Sequence, residues 1–171
     1  MRLHLRTLST WDHQPALPSE IADVWLTIDE QGVRVRMDAP FAGDPVPPAP
    51  PGRLHGLWEF EVVELMIAGA DDHYVELECG PAGHWLFLQL AGVRNIVNAQ
   101  APIECSTRHS GDRWSASVWL PNALLPSPPW RVNAFAIHGQ GSARRYLAWR
   151  PAGGDRPDFH VLDVFESVTD R

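Results

Sequence analysis

The sequence predicts an all-β protein, two antiparallel sheets packed face to face as a β-sandwich. Three observations predict it. Apolar residues recur with period two almost throughout, the spacing that puts alternate side chains on one face of a strand. The 171 residues include 16 Pro and 13 Gly, enough turn formers to cut the chain into many short strands. The helical signal is confined to one turn, around Asn122 to Leu125 after Pro121. No internal repeat or linker divides the chain, so residues 1–171 read as one domain, and that length buries a sizeable core without staples.

Taken in order, Arg2 to Leu8 alternates, with Leu3, Leu5 and Leu8 turned inward. Val24 to Ile28 and Val33 to Met37 flank Asp29-Glu30-Gln31-Gly32, a hairpin signal. Gly43 to Arg53, GDPVPPAPPGR, holds too many prolines to join a sheet interior; it reads as a long surface loop, with a polyproline recognition peptide as the alternative. Leu57 to Ala68 is the longest apolar-rich run. Tyr74 to Cys79 and His84 to Ala91 form a second hairpin across Gly80-Pro81-Ala82-Gly83. Strands at Arg113 to Leu120, Val132 to His138, Arg144 to Trp149 and Val161 to Phe165 complete the set.

Composition narrows the function. Net charge is −7, from 14 basic and 21 acidic residues, and no basic patch is visible, which argues against nucleic acid. No stretch is apolar enough for a signal peptide or a bilayer span, which predicts a soluble, cytoplasmic chain with no membrane partner. Cys79 and Cys105 read as two reduced core residues rather than a disulfide framework. Eight tryptophans exceed what a core of this size commonly needs, so some belong to a groove or an interface.

The second hairpin offers a candidate surface. With Cys79 paired to His84 across a four-residue turn, Leu77 faces Leu86 and Val75 faces Leu88. The opposite face then sets Glu78 beside Trp85, Glu76 beside Phe87 and Tyr74 beside Gln89. Carboxylates alternating with aromatics suit a sugar, whose C–H face packs on a ring while fixed acceptors take its hydroxyl protons. The same pattern also describes an ordinary solvated face.

The run Leu57-Trp58-Glu59-Phe60-Glu61-Val62-Val63-Glu64-Leu65-Met66-Ile67 resembles the W-E-x-(D/E)-x-V-E-hydrophobic block of family 9 carbohydrate-binding modules. A Tyr-containing strand follows, then Trp114 to Pro121, Arg131-Val132-Asn133-Ala134-Phe135-Ala136, and Tyr146-Leu147-Ala148-Trp149 before Pro157-Asp158-Phe159-His160. This order is similar to the DOMON-like type 9 branch from about Val24 onward. The resemblance implies a sandwich of immunoglobulin-like or jelly-roll-like type, often with structural calcium, and a slot gripping a mono- or oligosaccharide between aromatic rings. It implies Trp58 as stacking platform and Glu64 as hydroxyl acceptor. Two departures stand out: the family's Arg on the following strand falls at about Glu78, and the second clamping Trp is missing near Gly153 to Arg156, leaving Trp149 as its substitute.

The resulting candidate ligand-binding set is Trp58, Glu64, Glu78, Trp85 and Trp149, with no catalytic role and no required cofactor. Because six residues of straight strand span about 20 Å, Trp58 and Glu64 share a ligand only if the chain bends between them; otherwise Trp58 covers the end of the sandwich. Glu76 and Glu78, about 7 Å apart on one strand face, meet the spacing of a glycosidase pair without either being marked as its acid. Asp71-Asp72 reads as a polar turn or a contribution to a calcium site. Asp158 and His160 point the same way, toward a ligand or toward each other in a pair that pins the closing loop. An interaction domain meeting a protein partner or a second copy of itself, and an enzyme acting on glycans, are the two other classes.

Overall fold

The computed structural model describes residues 1–168. Fourteen strands form two sheets among them, and no α-helix is present. The first sheet runs β1 (Arg2–Arg6), β3 (Asp23–Asp29), β4 (Gly32–Pro40), β11 (Arg113–Pro121), β10 (Cys105–Ser110). The second runs β2 (Ser9–Thr10), β13 (Arg145–Ala148), β12 (Arg131–His138), β6 (Val62–Ala68), β7 (His73–Cys79), β8 (His84–Ala91), β5 (Gly52–Arg53). Two short strands add to its edges, β14 (Glu166–Ser167) on β12 and β9 (Ile96–Asn98) on β8. Every pairing is antiparallel except β5 with β8. The β-sandwich that the alternating pattern predicts is the fold observed. No helix of the described residues is long and apolar enough to cross a membrane.

The alternation sorts side chains as two packed sheets require. Val24, Leu26, Val33, Val35, Met37 and Trp114 of the first sheet meet Val63, Leu65, Ile67, Val75, Leu77 and Phe87 of the second in one core. The β3–β4 hairpin forms where expected, with Asp29 Oδ1 accepting the Gln31 and Gly32 N–H groups at 2.9 and 3.2 Å. Residues after Pro40 leave the sheet as a loop, anchored by His84 Nε2 on the Ala49 carbonyl at 2.9 Å. Cys79 and Cys105 are unbonded thiols with sulfurs 3.5 Å apart. The turn after Pro121 is a 3-10 turn, Asn122–Leu124.

Three expectations need correction. Leu8 is half exposed, because β1 ends at Arg6. Val161 to Phe165 is not a strand: Leu162–Val164 form a 3-10 turn whose Leu162, with Phe165, covers the second sheet from outside. The third concerns the second hairpin. It forms, but Cys79 pairs with Trp85, Leu77 with Phe87 and Val75 with Gln89, one residue from the expected register. Gly80 extends the ladder, its N–H donating to the His84 carbonyl at 2.9 Å. That leaves a three-residue loop, Pro81-Ala82-Gly83, closed by Gly83 at φ 82°. A one-residue slip moves a whole set of side chains to the other face. Trp85 and Phe87 therefore join the core, and Leu86 and Leu88 stand opposite Glu78 and Glu76.

The second sheet is buried on both faces. Its outer face is roofed by the 3-10 turn Leu57–Glu59 and by residues 159–165, which form a smaller core with Val62, Met66, Tyr74, Leu86, Leu88, Leu90, Phe135 and Ile137. Phe159 stacks on Phe135 with centroids 4.1 Å apart. The roof leaves an opening over Glu64 and Glu76.

Candidate functional site

The opening is a cavity of about 330 Å³, at the lower end of small-molecule pockets, ~300–1,000 Å³. Its floor is the outer face of β6, β7 and β8, with Glu64, Glu76, Leu88 and Leu90. Its walls are Trp58, Tyr146, Phe159, Arg94, Arg144, Asp158 and His160.

Trp58 and Glu64 meet there because the chain does bend between them. Gly56, at φ 83°, caps the 3-10 turn that carries Trp58, and the strand begins only at Val62. Arg144 fixes this turn. Its Nη2 donates to the Trp58 carbonyl at 2.6 Å and the Phe60 carbonyl at 3.5 Å, and its Nη1 to the carbonyls of Glu59 and Gly139 at 3.0 and 3.2 Å. The same guanidinium lies over the Tyr146 ring, 5.6 Å from its centroid. Trp58 is thus a half-buried wall of the pocket, with His55 against it edge to face at 5.1 Å.

Glu64, Glu76 and Glu78 share the outer sheet face on adjacent strands, Glu64 directly paired with Glu78 and Glu76 with Met66. They are 2%, 4% and 0% exposed. Glu76 Oε2 and both oxygens of Glu78 are buried without a hydrogen-bond partner among the described residues. Burial pushes the Glu64 carboxyl well above the usual range, Glu76 adds to the push, and Arg144 opposes it. Burial also raises Glu78 well above that range, with Glu64 and Glu76 reinforcing it. Glu76 is raised by burial too, but the neighbouring Glu78 carboxyl and the charge of Arg94 hold it back.

A second network closes the far wall. Asp158 Oδ1 accepts from Arg94 Nη2 at 2.7 Å and from the His160 backbone N–H at 2.9 Å. Although burial acts to raise it, these two partners hold Asp158 below the ordinary carboxylate range. The expected Asp158–His160 link is present, but through the histidine's backbone. The His160 ring reaches Tyr74, Nδ1 lying 2.7 Å from Oη. Tyr74 Oη also accepts the Arg94 backbone N–H at 2.9 Å. Burial, aided by Arg94, pushes His160 down to about 4, so the ring is neutral at pH 7. Nε2 stands 3.8 Å from Glu76 Oε2.

Of the five sequence-derived candidates, Trp58 and Glu64 line the cavity and Glu78 lies directly behind it. Trp85 and Trp149 do not reach it. The register places Trp85 on the core face, with Arg53 stacked on it at 5.2 Å. Trp149 likewise packs on the core and carries Arg150 at 4.4 Å. Arg94, Arg144, Tyr146 and His160 come from segments remote in sequence, and no local motif marks Arg94 or Arg144. Asp71 is engaged by His73, Nδ1 to carboxylate 3.1 Å. Among the described residues no three His, Cys, Asp or Glu side chains are grouped to hold a metal ion.

With this geometry in hand, known proteins give the following picture. The chain is 34% identical over 166 residues to the UPF0462 protein C4orf33 homolog of Mus musculus, covering 92% of this chain and 86% of that protein. It is 33% identical over 169 residues to the Danio rerio homolog, covering 94% and 85%. The chain belongs to the UPF0462 family. The Homo sapiens UPF0462 protein is 34% identical over 169 residues, with 92% and 83% covered. No protein-family model matches this UPF0462 chain. Among solved structures, 98% of it superposes on 84% of a "putative carbohydrate-binding protein" from Bacteroides uniformis, with TM-score 0.76 and 17% identity. A family 9 carbohydrate-binding module from Caldicellulosiruptor kristjanssonii, in complex with glucose, superposes with TM-score 0.50 and 12% identity over 92% of this chain and 78% of that one. At these identities the likeness is one of fold.

Proposed function

We propose that this UPF0462 chain is a non-catalytic carbohydrate-binding protein, taking a mono- or oligosaccharide into the pocket between Trp58, Tyr146 and the buried glutamates. The observation that carries the reading is the meeting of Trp58 and Glu64 on one cavity, with the aromatic wall held by Arg144. A pyranose ring packed on Trp58 would donate a hydroxyl proton to Glu64, and its remaining hydroxyls would meet Glu76 and His160. The family 9 module in complex with glucose, which shares the fold, supports the same reading.

The carboxylates favour binding over hydrolysis. A glycosidase sets one carboxyl as acid and the other as base or nucleophile by driving their proton affinities apart. In this cavity burial pushes Glu64 and Glu76 in the same direction, upward, rather than apart.

The test is saturation-transfer NMR with a panel of mono- and oligosaccharides, run with calcium and then with EDTA. Signal from at least one sugar class is expected, falling about tenfold in affinity, or roughly 1.4 kcal/mol, in a folded Trp58→Ala variant. Silence across the panel, or a folded Trp58→Ala protein with undiminished affinity, overturns the assignment. Silence together with a concentration-dependent mass would turn attention to a second copy of the chain as partner.

A further inference from the structure

We propose that the sugar held by this pocket carries a protonated amine, which Glu64 reads as an ammonium group. The inference rests on the carbohydrate reading and narrows its ligand class. Four carboxylates line the cavity, Glu59, Glu64, Glu76 and Asp158, against two guanidinium groups, Arg94 and Arg144. Both cations are already committed. Arg94 closes on Asp158 at 2.7 Å, and Arg144 spends its donors on the carbonyls of the Trp58 turn and Gly139. His160 is neutral and directs its Nδ1 to Tyr74.

The floor is therefore short of both positive charge and donors. Glu64 is 2% exposed and lines the cavity beside Glu76, whose Oε2 is buried without a hydrogen-bond partner among the described residues, and Glu78 adjoins Glu64 on the same sheet face. A hydroxyl brings this floor one proton and no charge. An ammonium brings three donors and the missing cation, and charge-assisted hydrogen bonds of this kind are roughly twice as strong as neutral ones. The walls suit it as well, since the aromatic side chain of Trp58 lines the cavity and an indole favours a nearby cation. An anionic sugar would face the opposite balance and be excluded.

The experiment is calorimetric titration at pH 6.5, where a sugar amine is charged, with glucose, galactose and mannose, each as the free hexose, the 2-amino sugar and the 2-acetamido sugar. The acetamido form keeps the substituent and removes the charge. In the wild-type protein one 2-amino sugar should bind about tenfold more tightly than its neutral counterparts, and Glu64→Gln should abolish that preference. Binding of a neutral hexose with no gain for its amine overturns this inference and leaves the carbohydrate reading standing. Preference that survives Glu64→Gln also overturns it, because Glu64 is then not the reader. If no member binds, this inference falls, and the wider panel of mono- and oligosaccharides decides the carbohydrate reading. The wild-type comparison decides the matter even if the variant does not fold.

Discussion

Two groups of buried glutamates share this molecule and are treated differently. Glu20 and Glu61 are saturated. Glu20 takes Arg145 through two contacts at 2.7 and 3.1 Å and the Leu17 N–H at 2.8 Å, with His138 beside it at 3.2 Å. Glu61 accepts from Trp114 Nε1 at 3.2 Å and from the backbone N–H groups of Ala42 and Asp44 at 3.0 and 3.4 Å. Glu64, Glu76 and Glu78 are as deeply buried, and among the described residues Glu76 Oε2 and both Glu78 oxygens have no hydrogen-bond partner. Burying a carboxylate costs several kcal/mol unless it is paired. The first group staples loops to the sandwich and adds stability. The second is a cost to the free protein that a ligand's donors can relieve, and it lies under a gap in the roof.

Substitutions can break or sharpen this contrast. The largest effect is expected at Glu61: Glu61→Leu strands the buried Trp114 indole N–H and two backbone donors, and should cost about 3 kcal/mol in urea denaturation. Glu20→Leu should cost less, roughly 2 kcal/mol, because the freed Arg145 is partly exposed and can rehydrate. Glu78→Leu should go the other way, stabilising the protein by about 1 kcal/mol at pH 7, since no donor is lost and an apolar side chain suits the site. A destabilised Glu78→Leu protein would erase the distinction between the groups.

The pH profile carries the same contrast in its two limbs. Burial works against the Glu20 charge, but Arg145 more than offsets it and holds the carboxyl below the ordinary range. Its contribution is therefore present above the unfolded value, about 4.3, and is lost as the pH falls through the folded one. Glu64, Glu76 and Glu78 are raised. Their contribution is complete below the unfolded value and is lost as the pH climbs from there through their folded values. Melting temperature should thus decline from mildly acidic pH toward neutrality, and Glu78→Leu should flatten that decline while leaving the acid limb intact. An unchanged alkaline slope in the variant would remove Glu78 from the coupled group.

Much of this was written in local sequence. The strands β3, β4, β6, β7, β8, β11 and β12 follow from alternation, and the β3–β4 turn from Asp29 and Gly32. The Trp58–Glu64 block was legible as a candidate because its residue types and order are local. β10, CSTRHS, was not, because an exposed edge strand with few apolar residues carries no alternating signal. The roles of Arg94, Arg144 and His160 were equally hidden: each depends on a partner 20 or 86 residues away that the fold brings alongside it.

The sequence by itself determined that the chain folds as a β-sandwich, because period-two burial is a property of neighbouring residues. Which face each hairpin side chain occupies was a tertiary decision. Gly80 continuing the ladder rather than joining the turn shifted the pairing by one residue, sending Trp85 inward and setting leucines opposite Glu76 and Glu78. The burial of those glutamates was decided later still, by a roof made from residues 57–60 and 157–165. Alternation reports that a face is polar; only the packing of distant segments over it decides whether that polarity meets water or is held dry for a ligand.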